Sequence, residues 1–226
     1  CVRNGGQERR ISVKAGAVIV AAGMSTRMKQ FKQMMKIGNF TMAERVAINF
    51  KRAGIQDIVM VTGYRSRQLE AYLDYLDLEF VENKQYEHTD MFESARIGFR
   101  RLQNRCDKVL FCPADIPFFT DDTVKKVLSQ NAEIVAPRCE GRSGHPISVH
   151  RELIPAILSY QGEEGLRGAL NATGIPIQYV DVEDQGTLMD ADTREDFEKL
   201  VMLHNEMRSR WTFPLKMEKQ WEKELF

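Results

Sequence analysis

The sequence carries no excess charge of either sign: 32 Lys and Arg side chains face 32 Asp and Glu, for a formal net charge of +0. General binders of nucleic acid or of anionic membrane surfaces are usually clearly basic, so this balance excludes both as main partners and leaves room only for a local cationic pocket. Cysteine is scarce. Cys1, Cys106, Cys112 and Cys139 form no C-x-x-C pair and no zinc-ligand spacing, which excludes a cysteine metal site and fits idle, buried thiols in a reducing cytoplasm. No stretch approaches the ~18 uninterrupted apolar residues of a membrane span. The opening CVRNGGQERRISVKAG lacks the apolar core of a signal peptide. It also lacks an initiator Met, which raises the expectation that the chain is a piece of a longer polypeptide.

What is present is an alternation of short apolar runs with amphipathic stretches. Strands are expected at 17–22, 57–62, 78–82, 108–112, 133–136, 146–150 and 177–182, and helices at 42–53, 66–75, 92–103 and 120–129. Two short helices are expected at 153–158 and 165–171, and a last one capped near Thr193, with Asp196 three residues on. Strand and helix repeated in this way predict an α/β fold: a doubly wound, mainly parallel sheet with helices on both faces. The runs at 17–22, 57–62 and 108–112 are almost uniformly apolar, as strands covered on both faces should be. A chain of 226 residues suits one sizeable domain. It is placed at 15–204, after an extension at 1–14 and before a linker or helix at 205–226 that leads toward a further domain.

In such a sheet, ligands sit beyond the carboxyl ends of the strands. After the first strand come Ala21, Ala22 and Gly23, small enough for a phosphate to approach backbone amides, then Arg27 and Lys32, which add positive charge. The spacing is neither G-x-G-x-x-G nor G-x-x-x-x-G-K-[ST], which disfavours dinucleotide and P-loop readings; a tight turn with a solvated basic face remains the plain alternative. After the fourth strand Pro113 and Pro117 bracket Asp115, and after the last come Asp190 and Asp192. Singly, each carboxylate also reads as a turn or helix-start residue. Together, a small-residue cationic loop for a triphosphate and two carboxylates for Mg²⁺, which prefers oxygen ligands and keeps several waters, are what nucleotidyl transfer requires.

Five ordered motifs then carry a resemblance. AAGMSTRMKQFK (21–32), VTGYR (61–65), PADIPF (113–118), GHPISV (144–149) and DADTREDF (190–197) resemble the MobA-like nucleotidyltransferase family over about residues 15–203. The resemblance implies a Rossmann-like nucleotidyltransferase fold and Mg²⁺-dependent transfer of CMP from CTP to molybdopterin with release of pyrophosphate, with a molybdoenzyme or insertion chaperone as a further partner. It assigns Ala21, Ala22, Gly23, Ser25, Arg27 and Lys32 to the nucleotide and its triphosphate. Thr62 and Gly63 fall near the base or ribose, Ser94 is a further nucleotide-binding residue, Gly144, His145 and Pro146 fall on the acceptor side, and Asp115 and Asp192 at the metal. An A-A-G first loop accompanies cytidylyl transfer in the family, and A-G-G guanylyl transfer. Two positions depart from the pattern: Lys29 and Asp90 stand where the family carries Gly. Cytidylyl or uridylyl transfer to a sugar or polyol phosphate, and a non-catalytic nucleotide-binding module, are the competing readings.

Overall fold

The almost wholly apolar strand β1 (Ala15–Ala21) runs through the middle of the sheet, where both faces are covered. Its side chains alternate: Ala17, Ile19 and Ala21 enter one core, Val18 and Val20 the other. The computed structural model describes residues 13–24 and 30–210, the last four as helix backbone only. In chain order follow a hairpin of β2 (Lys36–Ile37) and β3 (Phe40–Thr41), then α1 (Met42–Arg52), β4 (Asp57–Thr62), α2 (Ser66–Leu73), β5 (Glu79–Glu82), α3 (Met91–Leu102), β6 (Lys108–Pro113), α4 (Asp121–Ser129), β7 (Ile134–Cys139), β8 (Arg142–Ser143), β9 (Ile147–His150), α5 (Ile154–Ser159), α6 (Gly165–Ala172), β10 (Gln178–Asp181) and α7 (Arg194–Arg210).

The main sheet has the order β10-β7-β9-β6-β1-β4-β5, with β8 paired to β7. β1 pairs in parallel with β4 and β6, as do β4 with β5 and β7 with β10. The sheet is therefore mainly parallel, as expected, but β9 runs antiparallel to both its neighbours. The reason is length: residues 140–146 are too few for the crossover that a parallel return would need. One core holds Phe50 of α1, Leu69 of α2 and Val124 of α4; the other holds Phe99 of α3, Ile157 of α5 and Leu170 of α6. Cys106, Cys112 and Cys139 are buried without disulfides. Among the described residues no helix is long and apolar enough to cross a membrane.

Local chemistry sets the helix starts. Thr41 and Glu44 form a reciprocal capping box on α1. Thr193 and Asp196 do the same before α7, each backbone N–H donating to the other's side chain at 3.1 Å. The β2–β3 hairpin is absent from the sequence reading, because two-residue strands show no periodicity; its turn is marked only by Gly38 at φ +65°. A third apolar cluster, Ile37, Met42, Phe118, Ala191 and Leu200, joins that hairpin to α7. The helix continues to Arg210, past residue 205 where the sequence pattern weakens.

α3 lies so close to β1 that a Cβ on Gly98 would stand 2.3 Å from Val18 Cγ1. Gly→Ala inside a helix ordinarily gains up to about 1 kcal/mol, whereas overpacking a core costs about 1–3 kcal/mol. The clash should win. Gly98→Ala is expected to lower the urea-unfolding free energy by about 1–2 kcal/mol, and a stabilised variant would contradict the packing described.

Candidate functional site

The strand order reverses at β1. The chain steps from β1 to β4 and β5 on one side and returns to β6 on the other, so the crevice beyond the carboxyl ends of β1 and β6 is the ligand position of a doubly wound sheet. There Ala22, Gly23, Lys32, Ser94, Asp115 and Asp192 line a single cleft of about 320 Å³. Gly23 is exposed, and apart from its chain neighbours no atom of the described residues lies within 4 Å of where a Cβ would stand, so its backbone is open to a ligand on that side. Ala21 is still part of β1, and its methyl packs into the core.

Lys32 is the centre of the site. It opens a short 3₁₀ turn over residues 32–34, and its ammonium lies 2.5 Å from Asp115 Oδ2 and 3.0 Å from Asp192 Oδ1. Asp115 lies two residues past β6, while Asp192 is delivered by the segment leading into α7. Burial opposes the Lys32 charge more than any other single effect, but Asp115 and then Asp192 together outweigh it and raise the pKa above its ordinary value. The ammonium bonds Asp192 rather than Asp190. Burial first, then the charges of Asp192 and Asp115, push the Asp190 carboxyl above the usual range. Among the described residues no group of three or more His, Cys, Asp or Glu is placed to hold a metal. The donor set here is two carboxylates converging on one cation, which fits Mg²⁺, an ion commonly held through one or two carboxylates with waters filling its shell.

Several residues outside the sequence reading shape the cleft. Gln33 donates from Nε2 to the Gly23 carbonyl at 3.0 Å, tying the end of the first loop to the Lys32 turn. Asn83, buried just after β5, donates to Ser94 Oγ at 3.0 Å and Thr89 Oγ1 at 2.9 Å; Ser94 is thus fixed from behind. Tyr86 and Thr89 line the same cleft. The only trace of these groups in the sequence is polarity next to a strand end or a motif. Asp90 has a local explanation: it caps α3, accepting from Glu93 N–H at 2.9 Å.

Thr62 and Gly63 do not line the cleft. Thr62 is fully buried, and its hydroxyl donates to Glu70 Oε1 at 2.8 Å. A Cβ on Gly63 would stand 2.7 Å from both the Ala22 carbonyl oxygen and Tyr86 Cβ; glycine lets Tyr86 close on the first loop. Gly144, His145 and Pro146 also stand outside the lining, in the connection before β9. Gly144 N–H donates to the Pro137 carbonyl at 2.8 Å, and His145 N–H to that of Thr187 at 2.9 Å. Ser25, Arg27 and Lys29 lie outside the described residues. A larger hollow, about 490 Å³, lies beside Phe31, Met34, Tyr64 and Arg65. It brings together no carboxylates, so the metal and phosphate chemistry belongs to the smaller cleft.

The His145 ring meets Phe111 edge-on at 5.7 Å, and among the described residues its buried Nδ1 has no hydrogen-bond partner. Burial lowers its pKa to about 4 despite the opposing Phe111 carbonyl and Asp115 charge, so near neutral pH it is an uncharged donor or acceptor. Between about pH 6.5 and 4 the unfolded chain binds a proton there that the folded one does not, so stability falls as pH drops through that window. The wild type should lose about 2 kcal/mol between pH 7 and pH 5 from this group. His145→Phe should flatten that part of the urea-unfolding profile, and identical profiles would remove the assignment.

Comparison with known proteins matches residues 17–179 to the MobA-like NTP transferase domain. The chain is 28% identical over 182 residues to the molybdenum cofactor cytidylyltransferase of Escherichia coli (strain K12), covering 80% of this chain and 92% of that protein. It is 30% identical over 127 residues to the CTP:phosphoglutamine cytidylyltransferase of Campylobacter jejuni, covering 52% of this chain and 50% of that one. A nucleotidyl transferase structure from Methanothermobacter thermautotroptrophicus shares the fold, with a TM-score of 0.75 at 18% identity, covering 86% of this chain and 99% of that chain.

Proposed function

Because the chain belongs to the MobA-like NTP transferase family, a family of nucleotidyltransferases, we propose that it transfers CMP from CTP to molybdopterin and releases pyrophosphate. The observation that carries the reading is the Lys32 ammonium gripped by Asp115 and Asp192 at the strand-order reversal: a cation for a triphosphate and a two-carboxylate seat for a metal, in one cleft. An oxygen of the acceptor phosphate attacks the α-phosphorus, the new P–O bond forms, and the bond to the bridging α–β oxygen breaks, its electron pair leaving with pyrophosphate. The protein's contribution is alignment and charge. The backbone at Ala22 and Gly23 approaches the phosphates, with Ser25 and Arg27 completing that loop, and Lys32 neutralises charge on the leaving side. Ala21, paired in register with Thr62, fixes the loop's root, and Gly63 sets the position of Ala22 and Tyr86 from behind. Asp115 and Asp192 would hold Mg²⁺, which when bound supplies Lewis-acid neutralisation of the phosphates. Gly144, His145 and Pro146 face the acceptor side, with His145 uncharged.

Support for CTP comes from Ala22, whose methyl narrows the cleft where the guanylyl branch carries Gly, and from the cytidylyltransferase names of both relatives. One apolar group typically discriminates by about 10–200-fold, so kcat/KM for CTP should exceed that for GTP by at least about tenfold. Support for molybdopterin comes from the relative matched over 92% of its length. The Campylobacter relative favours a second reading, cytidylyl transfer to another phosphorylated small molecule. The test is pyrophosphate release with each of the four common NTPs in Mg²⁺, with molybdopterin, with a panel of phosphorylated small molecules, and with no acceptor. CTP and molybdopterin together should release it fastest. A faster panel member would replace the acceptor, and preference for GTP would sink the cytidylyl assignment.

A further inference from the structure

Lys32 stands where a two-carboxylate site would hold its own cation. Its side chain is 9% exposed and bonds both Asp115 and Asp192. In the function proposed above, on which this inference rests, the same ammonium serves the triphosphate and the same carboxylates serve a divalent metal. It cannot be in both places. While the ammonium holds the carboxylates, an arriving metal meets a positive charge at its seat. Once the ammonium leaves, Asp115 and Asp192 each lose a cation at about 3 Å or less, and like charges so near one another favour a replacement cation or a shared proton.

We propose that Lys32 is a resident counter-ion that closes the metal seat in the absence of nucleotide, and that a triphosphate opens it by drawing the ammonium off Asp115 and Asp192. The exchange needs only side-chain rotation. The backbone of the turn is held by Met35 N–H on the Lys32 carbonyl at 3.0 Å and by Gln33 on the Gly23 carbonyl at 3.0 Å. Divalent metal and nucleoside triphosphate then favour each other's binding by one shared factor, since coupling between two sites is reciprocal. The free protein keeps its carboxylates neutralised and takes an oxygen-preferring metal poorly.

This makes an outcome that a purely phosphate-binding lysine would not produce: removing Lys32 improves metal binding. The full chain is titrated with Mn²⁺ without nucleotide, and free Mn²⁺ is read from its paramagnetic resonance signal. Lys32→Met and Lys32→Gln should each bind Mn²⁺ about tenfold or more tightly than wild type, within the usual range of coupling factors. The difference should persist near roughly 1 M salt, where the Debye length is about 3 Å and distant charge effects are screened. Should the variants be less stable, Mn²⁺ should raise their melting temperatures more than it raises the wild type's. Equal affinities in all three proteins, a difference that vanishes in high salt, or no Mn²⁺ binding by either variant would each overturn the proposal. The titration contains neither nucleotide nor acceptor, so equal Mn²⁺ affinities would leave CMP transfer standing, and absent CMP transfer would leave a tighter-binding variant unexplained by anything but the counter-ion.

Discussion

Asp115→Asn is expected to slow CMP transfer by about 10³-fold in Mg²⁺, equivalent to roughly 4 kcal/mol of transition-state stabilisation. The side chain leaves β6 at the strand-order reversal and carries the shortest contact to Lys32. Asn keeps the shape and one oxygen acceptor for the ammonium but removes the charge that a divalent ion needs. The fold should survive, because Asp115 sits at the edge of the cleft while the apolar residues of β6 hold the core. Pyrophosphate release, measured beside a thermal melt, separates the two effects. Near wild-type turnover with an intact fold would remove Asp115 from the metal seat.

Lys32→Met should lower kcat/KM for CTP by roughly 10²–10³-fold, the scale of losing one charge contact made in the transition state. Much of the loss should appear in kcat, because in the proposed reaction the ammonium would neutralise charge that grows on the leaving pyrophosphate. Lys32→Arg should recover little: a planar fork does not fit a buried seat shaped for a compact ammonium. This rate loss runs opposite to the gain in metal affinity proposed for the same substitution, so the two measurements on one protein are independent. An unchanged rate in Lys32→Met would take the residue out of the chemistry.

The elements of the site were legible one by one. AAG and PADIPF stand at the end of an apolar strand, a ligand-facing position in a doubly wound sheet, whereas DADTREDF follows the last, mostly exposed strand only after a short 3₁₀ turn. Strand periods were equally readable: β4 spans the expected 57–62, and the other main strands differ by a few residues at their ends. Less legible was where a side chain turns once the strand and the element after it are packed together. Thr62 ends a strand beside the site, but its place in the pleat turns the hydroxyl onto Glu70. Asn83 looks like any polar residue after a strand, yet its amide fixes Ser94.

Taken by itself, the sequence determined the layering, the strand ends that carry chemistry and the residue types available there, because hydrophobic period and turn composition are local properties of a chain. It did not determine which carboxylate partners Lys32. Composition and period leave Asp190 and Asp192 level, and the family resemblance alone pointed to Asp192. The choice falls to Asp192 because Ala191 and Leu200 dock against Ile37, Met42 and Phe118, which sets the path of the chain into α7 and brings the Asp192 carboxylate to the ammonium. The direction of β9 was likewise decided by a connection too short to cross over. The path that delivers Asp192 depends on packing between segments far apart in the chain, and only the folded structure brings those segments together.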